Sequence, residues 1–217
     1  MDDLNTIIET ISITMGTAWA SGINLYATLL VLGLLGINDL ITLPESLSVI
    51  EHPMVVGAAG FMYVVEFFAD KVPGVDTGWD TLHTFIRIPA GVVLAAGVVG
   101  EADPAVVLAA GIVGGGISTA THAAKSGTRI LINASPEPFT NWTASVVEDI
   151  AVISGIWAAL MHPWIFLSAF VLFIVLMIFF LPRLWSAVKR FFSFLGRWFS
   201  AVTRALPERR QSKHKGS

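Results

Sequence analysis

The sequence predicts an all-helical membrane protein with about six transmembrane helices. Hydrophobic residues make up 54% of the 217 residues and charged residues only 13%, whereas soluble domains usually carry about 25% charged residues. The mean hydropathy is +0.73, so a bilayer must solvate much of the surface. Several apolar stretches approach the roughly 20 residues that a helix needs to cross a membrane.

Six apolar segments are expected to span the bilayer. The most apolar runs from Trp164 to Leu181, between two prolines. The others cover roughly residues 16–36, 53–70, a stretch from just after Arg87 to about Gly100, 104–122 and 143–161. The N-terminal sequence MDDLNTIIET is acidic where a signal peptide is positively charged, so we expect the first span to be retained.

The basic residues predict the orientation of these spans. Nine of the 13 Lys and Arg residues follow the last span, which places the C-terminal tail in the cytoplasm. The segments 37–52 and 101–103 carry acidic residues and no Lys or Arg, which suits the outer face. With six spans, both termini are cytoplasmic. The remaining basic residues then fall toward the cytoplasmic half: Lys71, Arg87, Lys125 and Arg129.

The tail after the last span has a helical pattern of its own. Between Trp185 and Leu206, apolar residues recur at steps of three and four, and basic residues occupy much of the other face. This pattern predicts an amphipathic interfacial helix over 183–206, lying on the membrane surface. The alternative is a helix that packs on a soluble partner. We expect residues 207–217 to form a disordered basic tail.

An internal repeat is suggested by two matching segments. Residues 53–60 (PMVVGAAG) recur at 104–111 (PAVVLAAG), with six of eight positions identical, and Trp79 aligns with Trp142 further on. We predict two tandem helix–connector–helix copies, over about 53–100 and 104–161. Parallel repeats of this type occur in transporters, with the binding site at their interface. The connectors KVPGVDTGWD and NASPEPFTNW are either re-entrant or broken helices or ordinary loops.

Charged residues concentrate in two segments of this region. Asp80, His83 and Arg87 lie at i, i+3 and i+7, and His122, Lys125 and Arg129 follow the same helical spacing. An ionisable group at the bilayer centre costs roughly 2.5–3.5 kcal/mol, so such groups must pair or face water. We predict a substrate- or ion-binding site made by these residues: Glu66, Asp70, Asp80, His83, Arg87, His122, Lys125, Arg129, Glu148 and Asp149. The alternative is salt bridges at the cytoplasmic interface that hold the two copies together.

Several function classes are excluded or disfavoured. The chain contains no Walker sequence, so it is not itself an ATP-driven pump, and HExxH is absent. The chain has no cysteine, which excludes thiolate metal sites. We expect no cofactor and no nucleic-acid partner. Membrane lipids and a second copy of the chain, in a homo-oligomer such as a dimer, are the expected partners.

Three stretches resemble a known family. They are EFFADKVPGVDTGWDTLHTFIRIPAG, THAAKSGTRILINASPEPFTNWTASVVEDI and the early SGINLYATLLVLGLLG. Over roughly residues 15–165 the chain resembles small bacterial integral membrane proteins known only as a domain of unknown function. The resemblance implies a bacterial inner-membrane location and no particular activity. The seven residues FIRIPAG also look like part of the motif of DedA-type proteins, which are linked to polyprenyl-phosphate lipid transport.

Three functions are compatible with these patterns. The first is a transporter or channel with its site between the repeats, moving an ion or a small anionic or lipid-phosphate solute, with proton coupling through His83 and His122. The second is a membrane-embedded enzyme acting on a lipid, with Asp76 and Asp80 as metal ligands or His83 as a base. The third is a non-catalytic scaffold.

Overall fold

The computed structural model describes residues 2–134 and 138–214, and these ranges contain seven α-helices, one short 3-10 helix and no β-strand. The helices are α1 (Asp2–Ile23), α2 (Leu25–Ile37), the 3-10 helix (Glu45–Glu51), α3 (Pro53–Ala69), α4 (Val75–Val98), α5 (Pro104–Asn133), α6 (Pro138–Met161) and α7 (Pro163–His214). The predicted all-helical fold class is therefore confirmed.

Four helices of the described residues are long and apolar enough to cross a membrane: α4, α5, α6 and the first 35 residues of α7. A fifth crossing arises if the 3-10 helix and α3 count as one span, since they meet at an angle of 64°. The number of crossings supported by length and composition is therefore four or five, fewer than the six that the sequence predicts.

The predicted first span over 16–36 is wrong as a single helix, because the chain breaks at Asn24. Helix α1 ends at Ile23, and α2 is a separate helix of 13 residues. Asn24 has an extended backbone, with φ −145° and ψ 97°, and its side chain accepts a hydrogen bond from Ala27 N (2.9 Å). Asn24 thus caps α2, as asparagine commonly does at helix starts.

Helix α1 lies at the centre of the helical bundle, in contact with α4, α5, α6 and α7. Its buried residues are mostly small and polar: Ser12, Thr14, Thr17, Ala18, Ala20 and Ser21. Near its end, a Cβ on Gly22 would collide with Thr121 and lie 2.6 Å from Ser118 O. The absence of a side chain at Gly22 lets the end of α1 lie directly on α5, and this contact brings the break at Asn24 close to the charged residues of α5.

Three helices extend further than the hydropathy pattern predicts. Helix α4 begins at Val75 rather than after Arg87, α5 continues to Asn133, and α6 begins at Pro138. From Asp76 onward, the described charged residues of these segments therefore lie within helices that qualify as membrane spans. Most of the first connector, KVPGVDTGWD, is helical, and only residues 70–74 separate α3 from α4. Residues 135–137 of the second connector, NASPEPFTNW, lie outside the described residues.

The helix boundaries have the same spacing as the suspected repeat. Helices α3 and α5 each begin with a proline after a capping residue, 51 positions apart, and α4 and α6, each of 24 residues, begin 63 positions apart. Helix α5 has 30 residues against 17 in α3. The packing is less regular, since α4 packs along α5 whereas α2 contacts both α3 and α6. The repeat remains a prediction.

The tail is helical and continues directly from the last span. Helix α7 is one uninterrupted helix from Pro163 to His214, so the apolar span and the amphipathic segment are continuous. Helix also covers most of the segment expected to be disordered, in which Glu, Arg, Gln and Lys are good helix formers. Large apolar side chains on α3 to α7 are exposed, among them Phe61, Phe85 and Phe179, which suits helices surrounded by lipid.

Candidate functional site

The ten residues predicted to bind an ion or substrate lie in one polar cluster, contributed by four helices. Glu66 lies on α3, and Asp70 is the residue that ends this helix. The cluster also receives Asp80, His83 and Arg87 from α4, His122, Lys125 and Arg129 from α5, and Glu148 and Asp149 from α6. Helical spacing places the members of each set on one face, turned toward the bundle interior. Nine of the ten are buried, and the Glu148 side chain is 18% exposed.

Lys125 occupies the centre of the cluster. Its Nζ donates hydrogen bonds to Asp70 Oδ2 (2.9 Å), Ile23 O (3.1 Å) and Glu66 Oε1 (3.3 Å). Glu148 Oε2 at 3.5 Å and Asp80 Oδ1 at 3.6 Å complete its surroundings. The ammonium therefore connects the end of α1 with carboxylates from α3, α4 and α6.

Arg87 joins α3, α4 and α5 and is completely buried. Its Nη2 donates to Glu66 Oε1, and its Nη1 donates to Asp80 Oδ1 (3.0 Å) and to His122 Nδ1 (3.3 Å). A buried guanidinium needs such partners because an unpaired charge there would be costly.

Arg129 makes a second, separate junction at the α3–α4 turn. Its Nη1 donates to Asp70 O (3.0 Å) and to Asn141 Oδ1 (2.5 Å), and its Nη2 donates to Glu148 Oε2 (2.7 Å). The planar fork of an arginine suits this multiple bonding. Arg129 thus ties the end of α3 and the start of α6 to α5, which is a structural role.

Lys71 lies in the turn between α3 and α4, at the edge of the cluster. Its Nζ stacks over the Phe67 ring, 2.9 Å from the ring centre, and donates to Phe67 O (3.0 Å) and Ser145 Oγ (3.3 Å). Burial lowers the pKa of Lys71 from its usual value. Lys71 is thus a second buried lysine with quite different surroundings from Lys125.

Negative charge exceeds positive charge in the cluster and the turns beside it. Six carboxylates lie here, against four basic side chains: Glu66, Asp70, Asp76, Asp80, Glu148 and Asp149, with Lys71, Arg87, Lys125 and Arg129. Four carboxylate oxygens have no hydrogen-bond partner among the described residues, namely Glu66 Oε2, Asp70 Oδ1, Asp80 Oδ2 and Asp149 Oδ2. Unpartnered buried oxygens are uncommon in proteins and call for an explanation.

The two histidines carry their hydrogens on opposite ring nitrogens. His122 Nδ1 faces Arg87, which can only donate, so the neutral ring has its hydrogen on Nε2, which donates to Thr84 Oγ1 (2.8 Å). His83 Nδ1 faces the Trp79 carbonyl (2.9 Å), so Nδ1 carries the hydrogen and Nε2 accepts from the Tyr26 hydroxyl (3.0 Å). The hydrogen positions follow from the partners.

This difference decides what an added proton would do to the contacts of each ring. When His83 gains a hydrogen on Nε2, the Tyr26 hydroxyl can turn and accept it, so neither contact is lost. When His122 gains one on Nδ1, that N–H points at the Arg87 guanidinium. His83 is therefore the ring suited to take up a proton in this arrangement.

The break between α1 and α2 also contributes to the cluster, and the sequence patterns do not predict it. Asn24 is 1% exposed, and its Nδ2 donates to Asp149 Oδ1 (3.0 Å) while its Oδ1 caps α2. The neighbouring Ile23 carbonyl, left free at the end of α1, accepts from Lys125. The only signal in the sequence is one amide within the apolar run SGINLYATLL.

Asp76 has a structural role at the start of α4. Its carboxylate accepts hydrogen bonds from Gly74 N (2.8 Å), Thr77 N (2.6 Å) and Asn133 Nδ2 (2.7 and 2.9 Å). Carboxylates commonly stabilise helix starts in this way. Within the described residues, no group of three or more His, Cys, Asp or Glu side chains is arranged to hold a metal ion in this structure, in which Lys125 occupies the centre of the carboxylate cluster.

Comparison with known proteins identifies one match. The family described as Domain of unknown function (DUF4126) matches residues 11–183. This range contains all ten predicted site residues and Asn24. No curated protein and no solved structure shows a significant match to the chain.

Proposed function

The chain belongs to the DUF4126 family, whose description names no activity, and we propose that it is a membrane transporter for a small cation, coupled to protons. The observation that carries this proposal is the surplus of buried carboxylates, four of which keep an oxygen without a hydrogen-bond partner among the described residues. Apart from Glu66 and Asp70 of α3, the charged cluster lies within helices that are long and apolar enough to span a membrane.

A surplus of buried negative charge favours binding of a cation or a proton. Each unpaired carboxylate in a low-dielectric interior costs several kcal/mol, and a proton or a cation removes much of that cost. Intramembrane carboxylates and histidines are typical of ion pathways and proton relays. His83 supplies a group that takes up a proton without losing its partners.

An anionic or lipid-phosphate solute is less well supported. Arg87, Lys125 and Arg129 are all bonded to carboxylates, so an anion would have to displace these bonds.

The enzyme alternative had Asp76 as a metal ligand, and that carboxylate accepts bonds from helix-start amides and Asn133. The scaffold alternative has an observation in its favour, because the fully buried Arg87 and Arg129 join several helices.

The finer topology is part of the same proposal. We propose that α1 and α2 together form a further, broken crossing, so that the chain crosses six times with both termini in the cytoplasm of a bacterial inner membrane. The matching boundaries of α3–α4 and α5–α6 support the two-copy repeat. We also propose that the protein assembles as a homo-oligomer, such as a dimer, among membrane lipids.

The test is a flux measurement on the purified protein in liposomes that contain a pH-sensitive dye. An inward gradient of Na⁺ or K⁺ should change the internal pH for wild type but not for empty liposomes. Glu66→Gln should lower the rate roughly tenfold or more, because a charge-assisted bond is worth about 1.5–3 kcal/mol. The control is Glu101→Gln, an exposed carboxylate between α4 and α5 that should leave the rate unchanged.

Each flux result has a definite meaning. If wild type moves no cation above the empty-liposome rate, the transport proposal fails and the scaffold alternative becomes the better one. If Glu66→Gln elutes as a folded protein and transports at the wild-type rate, the cluster is not the pathway.

A further inference from the structure

The surroundings of Lys125 resemble those of a bound metal cation more than those of an ordinary lysine. Five oxygens lie within 3.6 Å of its Nζ, from four carboxylates and one backbone carbonyl. An ammonium has only three hydrogens to donate, and those are used by Ile23, Glu66 and Asp70. The other two oxygens, which bond Arg129 and Arg87, lie within ion-pairing distance of the ammonium without receiving one of its hydrogens.

The oxygens come from separate elements and are held independently of Lys125. Ile23 O is the free carbonyl at the end of α1, where the partial negative charge of a helix is concentrated. Glu66 and Asp80 are also held by Arg87, and Glu148 is held by Arg129. The oxygen shell would therefore persist if the ammonium moved away.

Three of the same carboxylates each have a second oxygen that is free of hydrogen bonds within the described residues. Glu66 and Asp80, with 0% and 1% side-chain exposure, each keep one oxygen that has no hydrogen-bond partner among the described residues, as does Asp70. No hydrogen bond within the described residues therefore competes with a cation for these oxygens. Monovalent and divalent cations in proteins favour such oxygen-rich sites.

We propose that the Lys125 ammonium is a tethered cation that occupies a monovalent-cation site, and that K⁺, which is close to an ammonium in size, takes its place when the lysine withdraws. This inference rests on the proposed function, since it names the ligand class and the internal competitor of the same cluster. The flexible four-carbon stem of lysine permits such withdrawal, whereas the forked bonding of Arg87 and Arg129 holds those side chains in place.

The first experiment removes the tethered cation. Lys125→Ala empties the cation position, so the purified variant should melt at a lower temperature than wild type in choline chloride. Replacing choline with K⁺ or NH₄⁺ at equal ionic strength should raise its Tm by roughly 5–10 °C at about 100 times Kd. Wild type should show a smaller cation-specific change, because K⁺ must first displace its own ammonium.

Lys71→Ala is the matched control. It also removes a buried lysine, but Lys71 donates to one carbonyl and one hydroxyl and stacks on a ring. Its Tm should respond equally to choline and to K⁺. The same Tm for Lys125→Ala in choline, K⁺ and NH₄⁺ salts would overturn the proposal, because the variant would then sense only ionic strength and would bind no cation at the site.

A second measurement uses wild type and does not depend on how well the variant folds. K⁺ that displaces the ammonium should leave Lys125 more accessible, so its modification by an amine-reactive reagent, read by mass spectrometry, should rise with K⁺ and not with choline. Labelling that stays constant up to molar K⁺ would overturn the exchange. The Tm and labelling responses can both occur in a protein that shows no cation flux in liposomes. That combination would refute the proposed transport and leave a cation site without transport.

Discussion

Replacement of Asn24 by alanine tests whether the break between α1 and α2 is held by the two bonds of one amide. The variant loses the cap on Ala27 N, worth about 1 kcal/mol. It also loses the bond to the Asp149 carboxylate, and hydrogen bonds to charged groups are worth about 1.5–3 kcal/mol. The two losses together amount to roughly 2.5–4 kcal/mol, or a fall of about 5–15 °C in Tm for a chain of this size.

The assay is thermal unfolding of the purified protein in detergent, followed by tryptophan fluorescence. Asn38→Ala is the control, since Asn38 lies at the other end of the same helix, is exposed and bonds to Leu34 O (2.7 Å). Exposed substitutions usually change stability by about 0.5 kcal/mol or less. Equal melting temperatures for Asn24→Ala and Asn38→Ala would refute the reasoning, because the break would then be stable without the amide.

Two further predictions test the packing and the proton positions. Gly114→Ala should lower the free energy of unfolding by about 1–3 kcal/mol, because the added Cβ would collide with α4. Gly116→Ala, in open space on the same helix, should be neutral or stabilising by up to about 1 kcal/mol. Equal melting temperatures for the two variants would contradict the close contact between α4 and α5. Nitrogen NMR of the protein with ¹⁵N-labelled histidine at neutral pH should show the Nδ1–H form for His83 and the Nε2–H form for His122. Variants in which one histidine is replaced by Gln assign each signal. The same form at both positions would contradict the hydrogen-bond assignment.

The charged residues of the cluster could be predicted from the sequence because of where they occur. Glu66, Arg87 and Lys125 interrupt apolar segments, and a membrane-spanning helix can carry such groups only on an interior face. The helical spacing then places Asp80, His83 and Arg87 on one side of α4, and the structure shows Arg87 and Asp80 in contact. Local periodicity is sufficient for this part of the site.

The ends of the helices could not be predicted in the same way. Hydropathy treats each charged residue as a cost, so it places the start of the fourth span after Arg87, whereas α4 begins at Val75. In the folded chain much of that cost is offset by partners on other helices, such as the bond from Arg87 to Glu66. A hydropathy average over one segment of the sequence contains no information about partners on other helices.

The break at Asn24 shows the same limit more sharply, because its stabilising partners are distant in sequence. Asp149 is 125 positions from Asn24, and Lys125 is 102 positions from Ile23. Without them, an apolar stretch such as 16–36 is best satisfied as one helix, since every backbone group then bonds within the segment. The carbonyl freed by the break accepts from the same ammonium that binds the carboxylates of α3. The broken helix and the charge cluster are therefore a single structural unit, in which Lys125 compensates for the break and the break supplies one ligand for a cation.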